Sequence, residues 1–321
     1  NDPETEYQHP SFENISNSQD VSNSTARLLA GTVYFFAHPL FADAEQALDY
    51  LVIDEAGQVS LANVIAAGQF CKNIILLGDQ MQLAQPIQGT HPAESGLSAL
   101  EYLLQGQATI PPQHGIFLDQ TFRVHSAISG VLSTHIYDGR LRSAAEADQR
   151  QLVLNAAGQQ FLPYGLLSWS VKHTGYSQRC EPEAQVIADL LTMLCQQSVQ
   201  EANGEVRRLT LDDVVILSPY NLQVNCLIEH LPAGARVGTV DKFQGQEAAV
   251  VIVSMATSNP DLLPRDISFA YSLNRLNVAV SRAQCLAVIV HTDAMRLAYA
   301  HQLEDVERIS FFAALTPIES A

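Results

Sequence analysis

The sequence predicts an α/β fold, with parallel sheets flanked by helices in a doubly wound arrangement, and three observations carry that expectation. Short, β-branched, almost wholly apolar runs recur along the chain: Tyr50–Ile53, Asn73–Leu77, Val214–Leu217, Val250–Ser254 and Leu286–Val290. Strands covered on both faces of a parallel sheet have this composition, because neither face meets water. Helix-patterned stretches alternate with them, notably Glu183–Gln197, Asn221–Leu231 and Asn274–Ala283. Finally, polar and small residues follow directly on the apolar runs, at the strand ends where such folds hold their ligands.

Bulk properties limit what the chain can be. Its 321 residues are 47% hydrophobic and 16% charged, a globular composition with room for two ordinary domains. The longest apolar runs are far too short to span a bilayer, so they read as buried strands and no membrane is expected. Five cysteines (Cys71, Cys180, Cys195, Cys226, Cys285) are scattered without a CxxC pair. That spacing argues against a zinc site and a disulfide framework, and suits a reducing cytoplasm. The net charge of -17 disfavours a nucleic-acid binder on charge alone, since phosphate neutralisation normally uses basic clusters.

Residues 1–25, rich in Asn, Ser and acids, have no apolar period and read as a disordered lead-in. The chain opens on Asn1 without a signal-peptide pattern, which suggests that something upstream has been removed. Pro and Gly interrupt the pattern in Gln105–Gly115, the expected boundary between a first domain over 26–112 and a second over 113–321.

The first buried run ends directly in Asp54 and Glu55. Two acids at that point can divide labour: one carboxylate holds Mg²⁺ while the other orients and deprotonates a water. An acidic helix N-terminus is the plainer alternative. The next run repeats the layout, leading into Gly78, Asp79, Gln80 and Gln82. Arg123, Arg275 and Arg282 stand in near-apolar, helix-patterned segments, either as structural ion pairs or as arginine fingers for a transferring phosphoryl group. Thr239, Asp241, Gln244, Gly245 and Glu247 form a polar loop before a strongly apolar run, and Tyr220 follows Ser218-Pro219 where a ring can stack on a base.

Together these segments resemble the motif series of superfamily 1 helicases, in the branch of the nonsense-mediated-decay helicase. DEAGQ is similar to motif II, GDQMQL to motif III, TFRVH to motif IV, VGTVDKFQGQE to motif V and NRLNVAVSRAQ to motif VI. SPYNLQ resembles the segment that closes over adenine. The likeness runs from about Gly31 to Val290, and its nearest form is a bacterial protein in which a RecB-like nuclease domain precedes the helicase. It implies a RecA-like P-loop NTPase fold with a partial first domain and a complete second one, using ATP and Mg²⁺.

By that resemblance Asp54 holds Mg²⁺ and Glu55 activates water. Asp79, Gln80 and Gln82 couple the γ-phosphate to nucleic acid, and Arg123 and Arg282 reach that phosphate from the second domain. Tyr220 stacks on adenine, Glu247 bonds the ribose, and Gln223 and Gly245 complete the nucleotide set. Gly31, Thr32 and Thr239 touch the nucleic-acid backbone through main-chain amides and hydroxyls, contacts that need little net positive charge. One departure stands out: the family's GxxxxGK[ST] loop is missing, for no Gly-Lys dipeptide occurs in the chain. The resulting expectation is the C-terminal part of a cytoplasmic ATP-dependent helicase or translocase on single-stranded nucleic acid, DNA before RNA, inactive by itself. A helicase-fold interaction module without catalysis is the alternative.

Overall fold

The computed structural model describes residues 11, 14, 26–38, 48–83, 85, 89, 91–263 and 267–317. Apart from Ser11 and Asn14, the expected lead-in over 1–25 lies outside the described residues. Two compact units fall within Asn1–Gln80 plus Ala84–Gly106 and within Met81–Leu83 plus Gln107–Ala321.

The first unit contains α1 (Val33–Phe36), β1 (Leu48–Ile53), α2 (Leu61–Gly68), β2 (Cys71–Leu76) and α3 (Ala99–Leu104). The two strands pair in parallel, with Leu51 beside Ile74 and Ile53 beside Leu76, and α2 provides the crossover. Helix starts follow their caps: the Ser60 hydroxyl accepts from Asn63 N–H at 3.1 Å, and Ser98 with Glu101 forms a capping box before α3. Leu51 and Ile53 pack with Phe36, Val64, Ala67 and Leu100, whereas Tyr50, Val52, Ile74 and Leu77 are exposed. β1 is thus covered on one face, while β2 has no buried residue and exposes Ile74 and Ile75 on opposite faces, a correction to the expectation of burial on both. Alternation along β1 sends neighbouring side chains to opposite faces, and among the described residues α1, α2 and α3 pack on the face of Leu51 and Ile53.

The second unit runs β3 (Gln120–Thr121), α4 (Ser126–Ile136), β4 (Arg142–Ser143), β5 (Gln151–Val153), β6 (Gly165–Ser170), α5 (Glu181–Leu194), β7 (Ser198–Gln200) and β8 (Val206–Arg208). It continues through β9 (Val214–Leu217), α6 (Asn221–His230), β10 (Arg236–Gly238), β11 (Ala248–Ser254), α7 (Ile267–Ala270), α8 (Leu273–Val280), β12 (Ala283–His291) and α9 (Leu303–Leu315). Its main sheet has the order β10-β9-β11-β12-β6 and is parallel throughout. β5, β7 and β8 form a small antiparallel sheet.

Every residue of β9 and β11 is buried, and the alternation splits them between two cores. Val215, Leu217, Val251, Val253 and Ile289 pack with Ile128 and Leu132 of α4, Leu276 of α8 and Phe312 of α9. Val214, Ile216, Val250, Ile252 and Val288 pack with Ile187 and Leu191 of α5 and Leu227 of α6. Two-faced burial is why these strands are apolar without alternation. Two local expectations are corrected. Arg123 stands in the turn before α4, whose N-cap is His125, and Arg282 lies between the end of α8 and β12, so neither is helical. Both follow or precede a cap, where the backbone leaves the helix to bring the chain back to the sheet.

Candidate functional site: two strand exits and an arginine cluster

In the first unit β1 delivers Asp54 and Glu55 into solvent immediately after its last buried residue, Ile53. Pairing with the β2 side continues past the strand ends: Leu77 N–H donates to Ile53 O and Ala56 N–H to Leu77 O, both at 2.8 Å. The turn then closes tightly. Glu55 takes a left-handed backbone (φ 52, ψ 39), and its N–H donates to the Asp54 Oδ1 at 3.0 Å. For a residue with a Cβ that conformation costs about 1–2 kcal/mol.

Two glycines permit the approach. A Cβ on Gly78 would sit 2.8 Å from Ala56 N, and one on Gly57 would sit 2.7 Å from Asp79 O. The DEAG and GDQ turns therefore lie backbone to backbone, and Asp54, Glu55, Asp79 and Gln80 share one end of the two strands. Gly31 and Thr32 are exposed at the start of α1, where Thr32 is the N-cap and makes no side-chain capping bond.

In the second unit, Arg123, Glu247 and Arg282 are gathered at one place. The Arg123 Nε donates to the Glu247 carboxylate at 2.7 Å, and the Arg282 Nη1 donates to Gln246 O at 3.4 Å. Arg282 is only 4% exposed and its carbonyl accepts from Ala248 N–H, so β11 and β12 hold it through main chain. Arg150 fixes the turn that presents Arg123, donating to the carbonyls of Phe122 and Arg123 at 2.8 and 3.2 Å. Beside it burial lowers the His125 pKa, against a smaller upward pull from Asp148. Gly245 is exposed, with a left-handed backbone (φ 77), and Thr239 is half-buried just before it.

Gln82 belongs with this second unit, together with Met81 and Leu83. The Asn277 Nδ2 donates to Met81 O at 2.9 Å and to the Tyr137 hydroxyl at 2.8 Å, and Asn274 donates to Gln82 O. Tyr220 and Gln223 lie elsewhere. Tyr220 is buried at the N-terminus of α6 with its ring tilted 5.6 Å from that of Phe269. Gln223 is fully buried; it accepts from Cys180 N–H at 2.6 Å and donates to Cys180 O and the Ser254 hydroxyl. The Arg275 guanidinium lies 4.4 Å over the Phe269 ring.

Sequence reading did not single out Arg150, Asn274 or Asn277. Asn277 carried a signal, as one amide inside the otherwise apolar LNVAV, because an amide buried to 1% exposure needs partners. Arg150 left no such trace in the sequence.

With the geometry described, the chain can be set beside known proteins. It is 24% identical over 296 residues to the DNA replication ATP-dependent helicase/nuclease JHS1 of Arabidopsis thaliana, covering 86% of this chain and 21% of that protein. It is 28% identical over 282 residues to the DNA polymerase alpha-associated DNA helicase A of Schizosaccharomyces pombe, covering 81% of this chain and 40% of the relative. The chain thus spans less than half the length of these relatives. Among solved structures, the PRRSV helicase aligns with 82% of this chain and 38% of its own, at 16% identity and a TM-score of 0.40. A family described as the AAA domain matches residues 96–294, well over half the chain, and to that family the chain belongs.

Proposed function

We propose that this chain is part of a superfamily 1, ATP-dependent helicase or translocase that steps along single-stranded nucleic acid. The observation that carries the reading is the double strand exit of the first unit, where Asp54 and Glu55 are locked against Gly78 and Asp79 by two glycine contacts. The relatives, an ATP-dependent helicase/nuclease and a DNA helicase, support it and favour DNA over RNA. They are also the support for a nuclease domain in the same protein; placement in the nonsense-mediated-decay branch, or beside RecB-like fusions, rests on the motif likeness.

The residues present fit ATP and Mg²⁺ in part. Asp54 is an exposed carboxylate at a strand exit, and Mg²⁺ is commonly held by one or two carboxylates together with substrate phosphates. Held there, the ion would neutralise charge on the β- and γ-phosphates. Glu55 takes the proton of the attacking water from the exposed turn that its left-handed backbone shapes. Asp79, Gln80 and Gln82 respond to the γ-phosphate, and Arg123 and Arg282 offset its developing charge. Glu247, Gln223, Gly245 and Tyr220 hold the nucleoside, which requires the buried Tyr220 ring and the fully buried Gln223 amide, now bonded to Cys180 and Ser254, to become accessible. Gly31, Thr32 and Thr239 contact the strand's backbone.

The residues that would grip the phosphates as a GxxxxGK[ST] loop are not in this chain, so this chain alone should not turn ATP over at a useful rate. Among the described residues no helix is long and apolar enough to cross a membrane. The proposed cytoplasmic location rests on the scattered cysteine spacing of the sequence.

One observation favours a second reading, a non-catalytic interaction module: the net charge of -17. ATP turnover by the full-length gene product, measured with and without single-stranded DNA, decides between them. Stimulation by the strand supports the motor, and its absence supports the module.

A further inference from the structure

We propose that His173, Cys180 and Glu183 form a binding site for a borderline-soft divalent cation of the zinc class. The spacing of the cysteines argued against such a site, because it looks for ligands close in sequence around a CxxC pair. Here the turn between β6 and α5 brings three ligand types of different chemistry together instead. The ligand atoms of the three residues all lie within 4.8 Å of one another. A tetrahedral ion bonded at about 2.0–2.3 Å needs its ligands roughly 3.3–3.8 Å apart, so small side-chain movements suffice.

Each ligand is already oriented through its other atoms, as ligand side chains in metal centres usually are. The His173 Nδ1 faces the Ser258 hydroxyl at 2.9 Å, leaving Nε2 toward the Glu183 Oε1 at 3.0 Å. The Glu183 Oε2 accepts from the Ser254 hydroxyl at 2.6 Å and from Ala256 N–H at 2.9 Å. Gln223 clamps the Cys180 peptide on both sides.

Ser258 Oγ also accepts from Tyr176 N–H, and its second lone pair suits a proton on the His173 Nδ1. With the hydrogen on Nδ1 the Nε2 lone pair is free to ligate a metal beside Oε1, whereas with it on Nε2 the ring donates to Oε1 and the Ser258 hydroxyl donates to Nδ1. A bound metal takes the place of the Nε2 hydrogen, and the neighbouring thiol supplies the third donor. His, Cys and carboxylate donors together suit Zn²⁺, with a water in the fourth position. Cys180 and Glu183 are fully buried, and the side chain of His173 is 1% exposed. A cavity of about 300 Å³ lined by Ser170, Lys172, His173, Ser258, Asn259 and Thr292 adjoins the site and offers entry and the water.

Without an ion, burial and then the Glu183 charge push the Cys180 thiol up to about 12. Binding must displace that proton: the S–H bond breaks, the proton leaves to solvent, and an S–metal bond forms beside those from Nε2 and Oε1. Affinity therefore falls as pH falls.

The test uses the full chain, stripped by a chelator under reducing conditions and titrated with Co²⁺ at neutral pH. The expected result is one equivalent bound with a thiolate-to-cobalt charge-transfer band, displaced by Zn²⁺ and weakened in acid. Folded Cys180→Ser should lose the band. X-ray absorption of the zinc-loaded wild type gives a readout independent of any variant and should find a single sulfur among nitrogen and oxygen scatterers. Absence of the band, its persistence in folded Cys180→Ser, or a zinc shell without sulfur would each leave a hydrogen-bonded core network and no metal site.

Discussion

Arg282 is the residue most tightly committed to its place, nearly buried and flanked by strands β11 and β12 that hold it through main chain. Burying a guanidinium is costly unless charge or hydrogen bonding compensates, which favours a role that uses the charge. If it serves the γ-phosphate, Arg282→Ala in the full-length gene product should slow ATP hydrolysis roughly 10³-fold or more, read as steady-state turnover. Wild-type turnover would leave a structural role alone. His291 makes a different prediction at the same scale. Its Nδ1 lies 2.8 Å from Thr292 O and so carries the hydrogen, leaving Nε2 to accept from the Ser168 hydroxyl at 2.8 Å. Burial lowers its pKa from the ordinary 6.5, outweighing the Thr292 carbonyl that raises it. As pH drops below about 6.5 the unfolded chain takes up a proton that the folded chain refuses, so stability falls in that window and levels off below the folded pKa. Buried His125 acts in the same direction. Thermal midpoints from pH 7.5 down to about 5 should show the decline, and His291→Gln should flatten part of it.

At the scale of elements, β11 is the keel of the second unit. Ile252 pairs in register with Ile216 of β9 and Val288 of β12 and is fully buried. Ile252→Ala should cost about 2–5 kcal/mol in denaturant unfolding, because the central strand of a sheet packed on both faces collapses only partly around the lost volume. In the first unit the meeting of the two turns predicts that Gly78→Ala forces the DEAG and GDQ backbones apart. A loss of about 1–3 kcal/mol in stability is expected, with unchanged unfolding refuting the close contact. These elements also show what was readable in advance. β9 is legible to the residue as Val214–Leu217, since two-faced burial writes itself as an unbroken apolar run. β6 was not, because GLLSWS mixes serines that serve hydrogen bonds, among them Ser168 to His291, into a strand at the sheet edge. The position of Asp54 and Glu55 just past β1 was readable because the apolar run ends directly in them. Arg123 and Arg282 were singled out, but their place outside the helices was not, since caps decide it. Gln223 was assigned to nucleotide from its motif alone, whereas its bonds to Cys180 and Ser254 depend on residues 43 and 31 positions away.

At the scale of the whole chain, the acidic balance and a strand-tracking role are compatible if its contacts rely on amides and hydroxyls. Affinity of the full-length gene product for single-stranded DNA should then fall gently with salt, at a log–log slope well short of roughly -0.7 multiplied over many phosphates. Thr239→Ala should weaken all sequences alike, because backbone contacts carry no base information. The central claim, that the first unit's strand exit is the hydrolytic centre of a motor, is tested most directly by Glu55→Gln in the full-length gene product. The measurement is strand-stimulated ATP turnover alongside nucleotide affinity in the same preparation. The account predicts that turnover is abolished while affinity stays near wild type, since the amide keeps the shape of the carboxylate but cannot take the water's proton. Undiminished turnover, or loss of turnover and binding together, would contradict it.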